Sequence, residues 1–238
     1  MNRANIASLF RVKICGITHP DDARMAAEAG ADAIGLNFFV GSRRCVTIDQ
    51  ADQIVAALPS HVKKVGVFVN APVSEIVEIG DRLALDAIQL HGDESPEQIL
   101  QLAPRAVIKA LRPNVAGNLM LVGYVMKCVE CGAKPRMILI DSAAQGEYGG
   151  TGRLSDWDIA IEFRRSHRMP PLVLAGGLTP DNIREAIATV QPAAVDTASG
   201  VESAPGYKDP DKTRRFVAAA LDAFAALDSA IPAPERPT

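Results

Sequence analysis

"LVLAGGLTPDNIREAIATVQPAAVDTASG", residues 172–200, holds one complete structural unit. An apolar run ends in Gly176 and Gly177, a segment with helical spacing follows, and a second apolar run ends in Asp196. Thr179, Pro180 and Asp181 read as the start of the helix. Two near-continuous apolar strands joined by a helix-length crossover are parallel neighbours, covered on both faces.

The same unit recurs along the chain. Short runs rich in Val, Ile and Leu begin at 12 (VKICGI), 33 (AIGLNFF), 64 (KVGVFVN) and 87 (AIQLHG). The second half continues at 106 (AVIKALR), 137 (MILIDS), 172 (LVLAGG) and 193 (AAVDTASG). Amphipathic segments lie between them, including one in which Thr18 precedes Pro20 and acids fill the first turn. An open doubly wound sheet would carry a G-x-G-x-x-G turn after its first strand, and that turn reads CGITHP here. Eight units predict an α/β chain closed into a single (β/α)8 TIM barrel. The expected division is an N-terminal extension over 1–10, one barrel domain over 11–225, and a loose tail over 226–238 whose prolines stop the last helix.

Composition fits a single domain of this type. The chain has 238 residues, 48% of them hydrophobic, and a formal net charge of -3. A mildly acidic chain lacks the basic field that attracts nucleic acid. No segment approaches the ~20 apolar residues that span a bilayer, and no signal peptide is recognisable, so a cytoplasmic protein is expected. The apolar residues are used up by eight strands and eight helix faces, which favours a monomer, with a homodimer as the alternative. Four cysteines form neither a disulfide framework nor a paired metal set, and Cys128 and Cys131 read as reduced thiols near a helix end. The histidines are scattered, so no metal is expected.

In a barrel, chemistry gathers at the C-terminal ends of the strands and in the loops that follow. That rule selects Cys15 after strand one, Asn37 and then Arg43 and Arg44 after strand two, Gln89, His91 and Asp93 at the end of strand four, and Asp141 on strand six. Gly176 and Gly177 after strand seven, with Ser199 and Gly200 after strand eight, suit a cradle in which backbone N–H groups hold a phosphate. A lone strand cysteine is ordinarily a small buried hydrophobe. At a strand's C-terminal end, before Gly16, it becomes a candidate base, provided nearby positive potential favours the thiolate. Asp141 is the complementary candidate acid, because a carboxyl group in a partly apolar mouth can keep its proton. Strands one and six lie three apart around the ring, so base and acid would flank a substrate anchored by its phosphate. His91 is a rival base or a structural residue.

The residues also resemble a known family. KICGIT (13–18), GVFVN (66–70), IQLHGDE (88–94), ILIDS (138–142), GGTG (149–152), LAGGLTPDNI (174–183), VDTASGVES (195–203) and PGYKD (205–209) look like phosphoribosylanthranilate isomerase, in order, over about 11–225. The resemblance implies a (β/α)8 barrel of tryptophan biosynthesis that catalyses an Amadori rearrangement without a cofactor. It implies Cys15 as general base at sugar C2, Asp141 as general acid at the ring oxygen, and Arg44 at the anthranilate end. SRRCV (42–46) departs from the family's Ser-Pro-Arg-Tyr-Val pattern, and Thr197 and Ala198 depart from its Asp-Val-Ser-Ser-Gly pattern; Asp196 falls to substrate positioning. A metal-dependent sugar-phosphate epimerase and a non-catalytic phosphate-binding barrel are the alternatives.

Overall fold

The computed structural model describes residues 8–112, 117–141, 156–166 and 168–229. All eight expected strands are present: β1 (Val12–Cys15), β2 (Ala33–Asn37), β3 (Lys63–Phe68), β4 (Ala87–Leu90), β5 (Val107–Leu111), β6 (Met137–Asp141), β7 (Leu172–Ala175) and β8 (Ala194–Thr197). They pair in parallel, each with the next, and β8 returns to β1 to close the barrel. The helices are α1 (Pro20–Glu28), α2 (Ile48–Ala56), α3 (Val73–Arg82), α4 (Pro96–Gln101), α5 (Gly117–Cys131), α6 (Asp156–Arg165), α7 (Ile183–Val190) and α8 (Pro210–Ser229). Between β8 and α8 lie a 3-10 turn (Ser199–Val201) and an antiparallel hairpin of β9 (Glu202–Ala204) and β10 (Tyr207–Lys208).

Strand residues alternate between two cores, as a period of two requires. Ile14, Ile34, Leu36, Ile88, Ile140 and Leu174 point outward and pack under the helices. Ala33, Val65, Ala87, Ile108, Met137 and Val173 point inward and fill the barrel. Phe10 belongs to this inner core and is only 3% exposed, so apolar packing reaches into the stretch read as an extension. The strand bottoms are pinned by acids that precede β2 and β4: Asp32 accepts from the amides of Arg11 and Val12, both at 2.8 Å, and Asp86 from that of Lys64 at 2.9 Å.

Helix starts depart from the sequence reading in two places. Thr18 does not cap α1, because its hydroxyl donates to the Gly206 carbonyl and so ties the β1 loop to the hairpin. Thr179 does not cap α7 either; the helix begins four residues later, and Asn182 Oδ1 accepts from the Thr179 amide at 2.8 Å, which makes LTPDN a turn. By contrast α2 opens on a reciprocal capping box between Thr47 and Gln50.

One buried ion pair fixes the end of β4. Lys109 on β5 points away from the barrel interior and donates to Gly92 O at 2.7 Å and to Glu94 Oε2 at 2.8 Å. Glu94 in turn accepts from the amides of Asn70 and Gly92, each at 2.9 Å. The loop that follows β4 is thereby held by β5 and by the loop that follows β3.

Candidate active site

The inward parity that places Ala33 and Val65 at the bottom places polar side chains at the top. On β1 it presents Lys13 and Cys15, on β4 Gln89 and then His91, on β6 Asp141, and on β8 Asp196. Five of the residues selected from sequence therefore meet at the C-terminal mouth. Cys15 lies opposite Gly35 of β2, and a Cβ built there would sit 2.7 Å from its Sγ. Only glycine leaves room for the thiol.

Across the mouth, His91 Nε2 stands 3.4 Å from Asp141 Oδ2, and Gln89 Nε2 stands 3.1 Å from His91 Nδ1. The two ring nitrogens of His91 thus face two polar partners, Gln89 on one side and Asp141 on the other. The glycine-rich loop after Asp141, including GGTG, lies outside the described residues.

Arg44 leans over the backbone of Gly16, where any side chain would collide with its Cδ. Its Nε and Nη2 donate to Glu202 Oε1 and Oε2 at 2.7 and 2.6 Å, a two-pronged pairing. Lys208 donates to Glu202 Oε1 at 2.8 Å and to Ala198 O at 3.2 Å. Burial alone would raise the Glu202 carboxyl, but Arg44 and Lys208 hold it below the ordinary glutamate range. The Lys208 ammonium is pulled below the usual lysine value by its own burial.

The loops after β7 and β8 are locked together. Thr197 Oγ1 donates to Leu178 O at 2.8 Å, and Gly200 approaches the same carbonyl so closely that a Cβ would overlap it. Gly176 and Gly177 adopt φ of 86° and 61°, the left-handed region that favours glycine. Ser199 begins the 3-10 turn beside them. This joins the four residues selected for a phosphate cradle in one place.

The electrostatics of Cys15 differ from the sequence expectation. Burial raises its thiol above the ordinary range, and Lys13 and then Lys208 pull it down again without cancelling that rise. The positive charge around it comes from Lys13 and Lys208, with Arg44 also in its field. Lys13 Nζ pairs with Asp196 Oδ2 at 2.8 Å, with side chains 0% and 7% exposed. Burial pulls the Lys13 ammonium down, yet Asp196 and Cys15 together carry it above the usual lysine value. Burial raises the Asp196 carboxyl against the pull of Lys13. Lys13, Glu202 and Lys208 escaped the sequence reading, although Lys13 shares the inward parity of Cys15 and Lys208 stands within PGYKD.

Among the described residues no group of three or more His, Cys, Asp or Glu could hold a metal ion, and no helix is long and apolar enough to cross a membrane. Cys128 and Cys131 are free thiols in the last turn of α5; burial lifts the Cys128 thiol to about 11.

Comparison with known proteins gives a consistent result. A family model described as "PRAI: N-(5'phosphoribosyl)anthranilate (PRA) isomerase" matches residues 12–219. An N-(5'-phosphoribosyl)anthranilate isomerase of Geobacter metallireducens is 46% identical over 209 residues, which cover 88% of this chain and 98% of that one. Monomers generated from the dimeric phosphoribosylanthranilate isomerase of Thermotoga maritima superpose with a TM-score of 0.75 at 36% identity, covering 90% of this chain and all of theirs. A phosphoribosylanthranilate isomerase in complex with reduced 1-(o-carboxyphenylamino)-1-deoxyribulose 5-phosphate superposes with a TM-score of 0.74 at 36% identity and the same coverage.

Proposed function

The chain belongs to the N-(5'-phosphoribosyl)anthranilate isomerase family and catalyses that isomerisation, a step of tryptophan biosynthesis; we propose that Cys15 and Asp141 are its base and acid. The observation that carries the assignment is their shared place at the top of the barrel interior. Cys15 sits in the gap left by Gly35, and Asp141 faces His91 at 3.4 Å.

In this reading Asp141 protonates the ring oxygen of the ribose as the C1–O bond breaks. The anilino nitrogen supplies the electron pair and becomes an iminium. That iminium acidifies the C2 proton, which the Cys15 thiolate removes, and the electron pair of the C2–H bond flows to nitrogen through C1 to leave an enolamine. Ketonisation moves the hydroxyl proton of C2 to C1, and the proton on Cys15 returns to Asp141 by way of solvent. The iminium is the electron sink, so the scheme calls for no cofactor.

Gly176, Gly177, Ser199 and Gly200 are proposed to hold the phosphate through backbone N–H groups, which tolerates the departures at Thr197 and Ala198. Arg44 is proposed to face the anthranilate carboxylate, Gln89 and His91 to border the sugar, and Asp196 to position substrate. We further propose one barrel domain over 11–225, flanked by the short segments 1–10 and 226–238, in a cytoplasmic protein that works as a monomer. The tests are turnover of enzymatically generated phosphoribosylanthranilate by wild type, Cys15→Ala and Asp141→Asn, together with sedimentation of the wild type. Both variants are expected to lose about a hundredfold or more. Full turnover by either would remove that residue from its role.

A further inference from the structure

Below the acid and base lies a polar layer that the reaction scheme does not use. The interior of the barrel is otherwise filled by Ala33, Val65, Ile108, Leu139 and Val173, yet among them Lys13 and Asp196 stand in register across β1 and β8 as a buried ion pair. Removing two charges from water costs several kcal/mol per ion, and apolar residues of the same volume commonly serve stability as well or better. Filling the barrel does not account for the pair.

Its position does. Lys13 precedes Cys15 by two residues, so both side chains point inward from one strand. They meet in the space beside Gly35: a Cβ built there would lie 2.7 Å from Cys15 Sγ and 3.1 Å from Lys13 Cε. Asp196 holds the ammonium from one side by charge, and Lys13 Nζ has no partner in regular hydrogen-bond geometry. We propose that Lys13 is a positioning residue for proton abstraction, an ammonium clamped by Asp196 directly beneath Cys15 so that its charge stabilises the reacting thiolate from within the barrel.

The inference rests on Cys15 being the base. Of the charges around the thiol, Lys13 opposes the effect of burial most strongly, Lys208 of β10 acts in the same direction, and Asp196 acts against both. Arg44, from the loop after β2, also lies in the field of the thiol. His91, just after β4, and Asp141 of β6 face the pair from across the mouth and act on Asp196.

Opposite signs for the two members of one pair give a decisive experiment. The rate of alkylation of Cys15 by iodoacetamide would be followed against pH in the full chain, with the modified residue mapped by peptide mass. Lys13→Met is expected to raise the half-titration point by about one unit or more, a tenfold loss of thiolate at a fixed pH below it. Asp196→Asn, which breaks the same pair, is expected to lower it. The neutral double variant, which leaves no buried charge unpaired and so guards against misfolding of Lys13→Met, is expected to lie above wild type. Lys13→Arg is expected to restore part of the shift. The limb of kcat/KM that rises with pH should move upward with Lys13→Met.

Equal shifts in both single variants, or no shift in the double, would overturn the proposal, since loss of packing cannot move the thiol in two directions. Cys15→Ala separates the underlying reading: full turnover by that variant removes the base itself. An inactive Cys15→Ala beside an unmoved thiol in Lys13→Met removes only the role of Lys13.

Discussion

Burial leaves less of a thiol ionised near neutral pH, because desolvation penalises the thiolate that does the work. Cys15 is half-buried and bears this cost, with two lysines offsetting only part of it. The sign for activity follows: the base acts deprotonated and its pKa is raised, so kcat/KM of the wild type should climb with pH across neutrality and into the alkaline range. A steady-state profile that is flat from neutral pH upward would exclude Cys15 as the titrating base. Gly35 is the residue on which this arrangement depends sterically. Gly35→Ala places a methyl group 2.7 Å from Sγ, so the thiol must move while β2 keeps its hydrogen bonds. Misplacing a reacting group by about 1 Å can cost on the order of a hundredfold. Gly35→Ala should therefore lose kcat on that scale while keeping an unchanged circular dichroism spectrum.

At the scale of elements, the hairpin of β9 and β10 matters more than its five residues suggest. It brings Glu202 against Arg44 and buries Lys208 under the same carboxylate. A guanidinium fixed at two of its nitrogens can present only its remaining edge to substrate. Glu202→Gln removes the charge on which both cations depend, and Arg44 should then sample more rotamers. The expected outcome is KM raised about tenfold, the scale of one charge-assisted hydrogen bond, with kcat changed far less. Equal losses in kcat and kcat/KM would instead tie Glu202 to the chemical step. Hairpins this short leave almost no trace in a sequence. A strand of three residues and one of two show no period, and ESAPGYKD reads as a loop. The eight barrel strands were legible for the opposite reason, because burial on both faces makes each an apolar run. Thr18 and Thr179 carried a helix-start pattern that tertiary contacts overrode: one hydroxyl is taken by Gly206, and the other threonine heads a turn closed by Asn182.

Over the whole molecule the barrel separates the two ends of its interior, and the sequence revealed the ends unequally. Strand-end position was enough to select Cys15, Gln89, His91 and Asp141, and the resemblance added Asp196. Lys13 was missed because a lysine in an apolar run reads as a residue whose head escapes to water, whereas closure of the barrel denies it any exit. Phe10 was missed at the other end because it lies outside the first strand and nothing local announces that it is buried. Its ring lies among the lowest inward side chains, against Val65 and Ala87, as the floor of the barrel. Active-site residues lie at the opposite mouth, so the floor should affect stability without touching chemistry. Truncating a buried phenylalanine to alanine costs about 3–5 kcal/mol when the cavity cannot collapse, and here it is bounded by a closed ring of strands. Phe10→Ala is accordingly expected to lower the urea midpoint by that free energy at an unchanged m-value, with kcat and KM at wild-type levels where the variant is fully folded. A loss of kcat at low denaturant would mean that the floor and the mouth are coupled through the Lys13 layer between them, and that the interior acts as one unit.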